Sequence, residues 1–373
     1  MQPRLQRYKQ FIETQYVPGL LRNNEYSLEK LDTNILKKIS SGRYERILFT
    51  GMGCSAIVSD IIKGFFAIRN IPIYVEVIND YDIDFLLNIE ELKKKKTLVI
   101  ISSYSGHSQE PINAYHKLKK HTDDIIFLTT GGKLKKIAET EKVSLIYWRI
   151  TKPDREYPLF HAPQYFSIIL DIFHKLGLLK SNFQKEIGEA AKFTQNEFAH
   201  KKIGEAKKVA KQLRDKDIIL LASPKWYLSL LKLVKMHINE MAMAPAHRNY
   251  FHEFGHSEVS ILTNPQRKQS LWLLLDKNED KYTKKKIANL TKLLTKKIPQ
   301  NRNITLITTK LYQDNFFKQY FSTLQFIQYV SYFLGLYYDY ESRELISNAA
   351  NNAWYNRKTI EKEKSKQQRY KPV

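Results

Sequence analysis

The hydrophobic positions of this chain form short continuous runs separated by longer amphipathic stretches. The run Thr97 to Ile101 is typical of a strand buried in a parallel sheet, and the stretches between such runs have helical spacing. After a helical N-terminal segment over residues 1–35, the pattern predicts alternating strands and helices, with the strands at 45–50, 73–78, 97–102, 125–129 and 144–149.

A second alternating series follows a helical stretch from about Pro163 to Leu213. Its strands are predicted at 218–222, 270–275 and 303–308, and its helices at 226–240, 281–297 and 316–337. Two such series predict an α/β fold with two doubly wound parallel-sheet domains and helical segments at both ends. The predicted division is a helical segment 1–35, domains 36–180 and 181–352, and a basic tail 353–373.

Hydroxyl side chains are concentrated directly after the third predicted strand. The stretch Ser102-Ser103-Tyr104-Ser105-Gly106-His107-Ser108 precedes a predicted helix with Pro111 in its first turn. A helix N-terminus presents N–H groups to an anion, and serine hydroxyls add donors that rotate to fit phosphate oxygens. The stretch therefore predicts a small-anion site, although an ordinary serine-rich turn fits the local pattern equally well.

A second turn of small residues, Gly51-Met52-Gly53-Cys54-Ser55, follows the first predicted strand and precedes an apolar helix. Its glycines allow close backbone approach, and Ser55 stands where a helix cap is expected. A third glycine in dinucleotide-binding register is absent, which disfavours an NAD site. Both turns follow strands of one predicted sheet, so they predict a single anion pocket where the strand order reverses.

The segments GMGCSAIVSD, SSYSGHSQE and FLTTGGKLKKIAE resemble a sugar isomerase (SIS) domain, in particular the archaeal bifunctional phosphoglucose/phosphomannose isomerase family, and the resemblance extends from about Asn34 to Asn351. The family has Asn-Thr where this chain has His107-Ser108, and serine keeps the hydroxyl. The resemblance implies a sugar-phosphate site formed by Gly53, Ser55, Ser103, Ser105 and Ser108.

The resemblance also implies a catalytic pair, because Glu240 and His256 match the family pattern E-x-A-x-x-P-A … E-x-x-H. A carboxylate can move a proton between two sugar carbons through an enediol, and an imidazole can open the sugar ring. The implied reaction is metal-independent, cofactor-free isomerisation of glucose 6-phosphate or mannose 6-phosphate to fructose 6-phosphate. The family histidine crosses a dimer interface, which implies a homodimer.

Each catalytic candidate has a structural alternative. Glu240 is also consistent with a surface carboxylate near a helix C-terminus, a place that the helix dipole disfavours. His247 and His252 precede His256, so a histidine-rich loop or a metal site is an alternative for this segment. The residues at 245–249 are typical of a loop, which argues against a metal site on one helix face.

Two positions depart from the family pattern. The family carries an arginine after a proline that faces the substrate; here Pro158 is followed by Leu159, while Arg155 follows Pro153 and is the remaining candidate for substrate binding. The family lysine of the last helix has no counterpart in residues 339–351. Loss of two cationic contacts weakens substrate positioning, so a catalytically impaired relative is the alternative to an active isomerase.

Composition fits a folded protein of two domains, with 373 residues of which 43% are hydrophobic. The single cysteine, Cys54, excludes a disulfide framework and a cysteine metal site. No stretch resembles a signal peptide or a membrane span, which predicts a cytoplasmic protein.

Charge is the property that the isomerase interpretation leaves unexplained. Lys and Arg number 61 against 38 Asp and Glu, a net charge of +23. A positive field of this size attracts RNA or ribosomes in a salt-dependent way, whereas a lysine-rich composition with solvated helix faces is the simpler explanation. The clusters lie at 93–96, 117–120, 284–286 and 357–371.

Overall fold

The first half of the chain forms a six-stranded sheet. The structure is a computed structural model that describes residues 4–14, 25–94, 96–149, 158–198, 202–226, 230–264, 266–296, 302–311 and 313–338. The strand order is β1-β6-β5-β4-β2-β3, and all neighbours are parallel except β1 and β6. The strands are β1 (Glu25–Lys30), β2 (Arg46–Gly51), β3 (Tyr74–Asn79), β4 (Thr97–Ser103), β5 (Ile125–Thr129) and β6 (Ser144–Arg149).

Helices connect these parallel strands and cover both faces of the sheet. The central strand β4 is buried along its whole length, as its unbroken apolar run requires. Short 3₁₀ turns occur at Pro158–His161 and Glu258–Thr263. The helices of the first half are α1 (Arg4–Thr14), α2 (Thr33–Ser40), α3 (Gly53–Ile68), α4 (Ile83–Leu86), α5 (Ile89–Lys94), α6 (Gln109–Leu118), α7 (Gly132–Glu141), α8 (Ala162–Lys175) and α9 (Gln184–Phe198).

The second half forms a four-stranded parallel sheet in the order β10-β9-β7-β8. Its strands are β7 (Asp217–Ala222), β8 (Ala246–Tyr250), β9 (Gln269–Asp276) and β10 (Ile304–Leu311). Its helices are α10 (Lys202–Leu213), α11 (Pro224–Trp226), α12 (Lys232–Met241), α13 (Phe251–Phe254), α14 (Lys281–Leu294) and α15 (Phe316–Tyr337).

One continuous apolar core joins the two sheets. It includes Phe49 and Ile100 from the first sheet, Leu220 and Trp272 from the second, and most of the helix α15. Two smaller cores cover the outer face of each sheet. The inner helices α3, α8 and α15 thus bury side chains shared by both halves, which fixes the position of each sheet relative to the other.

The predicted α/β fold with two parallel sheets is confirmed, and the predicted helix at 316–337 has the observed bounds. Two details were wrong. The N-terminal segment predicted as helical contains the antiparallel edge strand β1, and the residues predicted as a loop at 245–249 lie mostly in the parallel edge strand β8. Of the helix predicted at 226–240, the described residues form α11 at its start and α12 at its end.

Within the described residues, no helix has the length and apolar character needed to cross a membrane.

Candidate active site

A cavity lies at the point where the strand order of the first sheet reverses. The chain goes from β2 outward to β3 and then crosses to β4 on the other side of β2, so β2 and β4 are neighbours with their helices on opposite faces. Ligands of open α/β sheets bind at such a point. The cavity has a volume of about 200 Å³ and is lined by Met52, Cys54, Ser55, Ser102, Ser103, Tyr104, Ser105, Ser108 and Pro111.

The glycine turn lets the end of strand β2 lie close to strand β4 on the side of the cavity. A Cβ at Gly51 would lie 2.8 Å from the Ser102 carbonyl oxygen, so only glycine permits this approach of the two strands. Helix α3 begins at Gly53, which has a φ of +55° and open space where a side chain would project. The preceding residue, Met52, makes no side-chain capping bond, so the first turn of α3 faces the cavity with its backbone alone.

The sequence suggested that Ser55 caps the helix α3. In the structure Ser55 instead supports the serine loop. It lies within the first turn of α3, and its hydroxyl accepts a hydrogen bond of 3.0 Å from the Tyr104 N–H. The two turns that the sequence assigned to one pocket are therefore joined directly by a hydrogen bond.

The hydroxyls of the serine loop are held by backbone donors. Ser103 Oγ accepts from the Gly106 N–H at 3.2 Å, and Ser105 Oγ accepts from the His107 N–H at 3.3 Å. Because each oxygen acts as an acceptor in these contacts, the O–H group of each serine is left to donate to a ligand. Ser108 is the N-cap residue of α6, is exposed, and makes no side-chain capping bond.

A third loop holds the serine loop in its conformation. Gly106 has a φ of +65°, and a Cβ there would lie 1.9 Å from the Gly131 carbonyl oxygen. Thr130 Oγ1 donates to the Tyr104 carbonyl at 2.6 Å, and the Leu134 N–H donates to the Gly106 carbonyl at 2.9 Å. The loop is thus fixed by the backbone, which leaves its hydroxyls in defined positions.

Glu240 stands near this cavity, at the end of helix α12. An ion pair of 2.5 Å between Lys232 Nζ and Asp60 Oδ2 ties α12 to α3. Burial raises the pKa of the Glu240 carboxyl above its ordinary value. Burial also raises the pKa of the Cys54 thiol, and the charge of Glu240 raises it further, so the two side chains are close. Cys54 packs against the main core, and its partly exposed side chain forms part of the cavity wall.

A buried carboxyl that the sequence reasoning missed lies just beyond β3. Asp80 is 2% exposed; its Oδ1 accepts a hydrogen bond from Thr50 Oγ1, and its Oδ2 has no hydrogen-bond partner in the described part of the chain. Burial and the nearby charge of Glu110 raise the pKa of Asp80 to about 7, although the Thr50 bond opposes this shift. A lone aspartate after a strand gives no sequence signal of such burial.

His256 is exposed after α13, and it is not among the residues that line the cavity. His252 hydrogen-bonds Thr283 and stacks on Tyr282. Groups of three or more metal-ligating side chains do not occur in the described ranges, so His247, His252 and His256 do not converge there. Glu240 does not line the cavity itself, but its charge acts on Cys54, which does.

The two departures from the family pattern have different outcomes. Leu159 is buried in the main core, so alignment on Pro158 puts an apolar core residue at the arginine position. Arg155, the remaining candidate for substrate binding, lies outside the described residues, as do 339–351 and the basic tail.

The corresponding point of the second sheet is occupied by an ion pair. There Asp276 Oδ2 accepts from Lys225 Nζ at 2.8 Å and from Trp226 Nε1 at 2.9 Å. A carboxylate at this position disfavours a second anion.

Comparison with known proteins agrees with this architecture. Residues 202–345 match the family model described as bacterial phospho-glucose isomerase C-terminal SIS domain. A bifunctional phosphoglucose/phosphomannose isomerase of Caldicellulosiruptor bescii is 29% identical over 282 residues, covering 74% of this chain and 80% of that protein. One from Thermoplasma volcanium is 24% identical over 258 residues, covering 69% and 76%.

Solved structures share the fold. The C-terminal domain of glucosamine-fructose-6-phosphate aminotransferase from Francisella tularensis superimposes with a TM-score of 0.64 at 14% identity, covering 89% of this chain and 94% of that one. Tagatose-6-phosphate ketose/aldose isomerase from Escherichia coli gives 0.62 at 15% identity, covering 91% and 96%.

Proposed function

We propose that this chain, which is similar to an SIS-domain family model over residues 202–345 and to bifunctional phosphoglucose/phosphomannose isomerases, interconverts the aldose and ketose forms of a hexose 6-phosphate. The observation that carries the proposal is the position of Glu240, a half-buried carboxyl of raised pKa beside a cavity lined by serine hydroxyls. Glucose 6-phosphate and mannose 6-phosphate are the proposed aldoses, with fructose 6-phosphate as the shared ketose.

The serine cavity supports binding of the phosphate. Ser55, Ser103, Ser105 and Ser108 line it together, and the backbone of α3 beside Gly53 opens onto it. Hydroxyl donors and helix N-termini stabilise a dianionic group without a lysine in the loop. Binding of the phosphate there fixes the distance from the sugar carbons to Glu240.

Glu240 is the proposed base. Its carboxylate takes the proton from C2 of the open-chain aldose, giving an enediol, and returns a proton to C1, giving the ketose. The C2 hydroxyl gives up its proton and becomes the carbonyl, while the C1 carbonyl oxygen gains a proton and becomes a hydroxyl, so the step balances without an oxidant. A carboxyl whose pKa is raised by burial accepts and releases this proton more readily near neutral pH. The proposed transfer uses side chains alone and is metal-independent.

His256 is the proposed ring-opening group, contributed by a second copy of the chain. Its exposure within one chain supports an arrangement in which the partner supplies it. The same arrangement makes the homodimer the proposed active form. Arg155 remains the proposed cationic contact to the substrate.

The first experiment follows fructose 6-phosphate in D₂O by NMR. We expect glucose or mannose 6-phosphate carrying deuterium at C2, and we expect Glu240→Gln to abolish its formation. Glu139→Gln is the matched control, because Glu139 is an exposed carboxylate that pairs with Lys30. Absence of glucose and mannose 6-phosphate from the wild-type reaction, or full activity of Glu240→Gln, would refute the proposal.

The reaction class needs its own discrimination, because a D-glucosamine-6-phosphate 4-epimerase of Sulfolobus acidocaldarius is 24% identical over 233 residues, covering 62% of this chain and 68% of that protein. The same NMR experiment with glucosamine 6-phosphate separates the two reactions. Formation of the C4 epimer, without exchange at C2, favours epimerisation over aldose–ketose isomerisation.

The shared site is tested by mixing two inactive variants. In a mixed dimer of Glu240→Gln and His256→Ala chains, one of the two sites combines an intact Glu240 with an intact His256. We therefore expect mixing, after dissociation and reassociation, to restore turnover. If activity stays absent in a verified mixed dimer, the histidine does not act across the interface.

Binding of RNA or ribosomes is supported less well. Lysines from two of the basic clusters, Lys96, Lys117 and Lys119, each pair with a carboxylate: Glu45, Asp84 and Glu141, respectively. Such interleaving favours lysine-rich composition as the origin of the net charge of +23. Filter binding to RNA at low and moderate salt, with and without residues 355–373, tests the alternative of a basic arm.

A further inference from the structure

The end of helix α12, which carries Glu240, is held by a buried arginine from the start of the chain. The last carbonyl groups of a helix lack partners within the helix. Here Arg4 Nη1 donates to the Glu240 carbonyl at 2.8 Å, and Arg4 Nη2 donates to the Met241 carbonyl at 3.2 Å. Arg4 is 2% exposed, so this guanidinium is committed to the protein interior. A cation at a helix C-terminus also offsets the negative end of the helix dipole.

Three helices meet at this point. On α15, a Cβ at Gly335 would lie 3.0 Å from the Met241 carbonyl oxygen and 3.1 Å from Leu5 Cδ2, so glycine is what lets α15 approach both. Further along α15, Gln325 Nε2 donates to the Ile12 carbonyl at 2.9 Å, which ties the other end of α1. Helix α1 is thus fixed at both ends, and Arg4 projects from a rigid element.

The chain turns sharply after this cap. Met243 has a φ of +51°, and Asn239 Nδ2 donates to the Ala244 carbonyl at 2.8 Å. The regular backbone of α12 therefore ends directly after Glu240 and Met241. Without Arg4, the carbonyl groups of these two residues lose this donor.

We propose that Arg4 is a positioning residue, which fixes the last turn of α12 and thereby the place of the Glu240 carboxyl beside the cavity. The inference rests on the proposed function for its catalytic meaning. Arg4 itself bonds only backbone atoms of α12 in these contacts, so it acts through Glu240 and not on the substrate.

The chain contains its own reporter of this position. Cys54 is the single cysteine, and the Glu240 charge adds to burial in raising the pKa of its thiol. The rate at which iodoacetamide alkylates Cys54, measured against pH, therefore reports where the Glu240 carboxylate stands. This measurement needs no substrate.

The experiment is a double-variant cycle on the full chain. Arg4→Gln is made in the wild-type and the Glu240→Gln backgrounds, and Lys9→Gln is the control, since Lys9 is an exposed cation of the same helix that pairs with Glu13. We expect Arg4→Gln to shift the alkylation profile to lower pH in the wild-type background, part of the way to Glu240→Gln, because the carboxylate no longer stands beside the thiol. In the Glu240→Gln background we expect no shift, and Lys9→Gln leaves the profile unchanged.

Turnover provides the second measurement. Misplacing a catalytic group by about 1 Å lowers the rate by roughly 100-fold, so we expect Arg4→Gln to lower kcat by about that factor with KM nearly unchanged. Arg4→Lys keeps the cation and one hydrogen bond, so it folds more readily and gives an intermediate effect; it replaces Arg4→Gln in the cycle if the latter does not fold.

The outcomes separate this inference from the proposed function. Equal shifts in both backgrounds, or none in either, overturn the positioning role, because the effect then does not pass through Glu240. A wild-type protein without turnover, whose alkylation profile nevertheless shifts only when Glu240 is present, refutes the isomerase proposal and supports the role of Arg4.

Discussion

Replacing Asp80 with asparagine is expected to remove a large part of the pH dependence of folding stability. The carboxyl is buried beyond strand β3, where Thr50 donates to one oxygen and the other oxygen has no partner among the described residues. Burial is the main reason that its pKa rises from 3.8 to about 7. The folded protein therefore holds this proton more tightly than the unfolded chain does.

The sign and size of the effect follow from proton linkage. Between about pH 4 and pH 7 the folded state binds more protons than the unfolded state, so the free energy of unfolding falls as the pH rises. The contribution of Asp80 is zero below about pH 4 and reaches its full unfavourable value above about pH 7. A shift of this size corresponds to at most about 4 kcal/mol, at about 1.4 kcal/mol per pKa unit.

The assay is urea unfolding of the wild type and Asp80→Asn at four pH values between about 5 and 8. The variant is expected to gain stability over the wild type as the pH rises, because asparagine keeps the acceptor for Thr50 and carries no charge. Asp84→Asn is the matched control, since Asp84 is an exposed carboxylate paired with Lys117. A difference between Asp80→Asn and wild type that is constant over this range would refute the reasoning.

Three further changes test the serine cavity and its support. Gly106→Ala is expected to lower the melting temperature and abolish sulfate binding measured by calorimetry, because its Cβ would lie 1.9 Å from the Gly131 carbonyl oxygen; retained sulfate affinity would contradict the loop geometry. Ser55→Ala removes an acceptor and a ligand donor, so urea unfolding should show a loss of about 1–3 kcal/mol together with weaker sulfate binding, and unchanged binding would place the anion elsewhere. Lys232→Met leaves the Asp60 carboxylate unpaired in the interior and should lower the free energy of unfolding by about 3 kcal/mol at neutral pH; recovery on adding Asp60→Asn is the expected rescue, and its absence would show that the pair is not the cause.

The strands that are buried on both faces were predicted from the sequence, because an unbroken apolar run such as that of β4 is typical of a strand covered on both sides. The sequence also predicted the strand reversal that brings the two small-residue turns together. Two of the four edge strands, β1 and β8, were not predicted. Strand β8 is only partly buried and carries polar residues such as His247, and β1 is short and pairs on one side only.

The candidate site likewise has residues that the sequence predicted and features that it did not predict. The local serine-rich pattern predicted the serines, because it has its own chemistry, whereas the prediction of Glu240 came from the resemblance to a family pattern. The position of Cys54 in the cavity wall and the burial of Asp80 depend on how elements distant in sequence pack together. Local sequence patterns carry no information about this packing. The binding and catalytic roles of these residues, and of His256 and Arg155, stay predictions until the experiments above are done.

The contact between Arg4 and Glu240 spans 236 residues of chain, and that between Ile12 and Gln325 spans 313. A ribosome that adds about 5–20 residues per second releases the end of α15 roughly 15 to 70 seconds after α1. During that time the helix α1 has an apolar face, and its partner α15 is not yet complete. Helix α1 is thus made long before it can pack fully, and the support of Glu240 is complete only when both ends of the described chain have met. Chaperone demand and folding rate should accordingly depend on α1, whose sequence-distant contacts slow the final step.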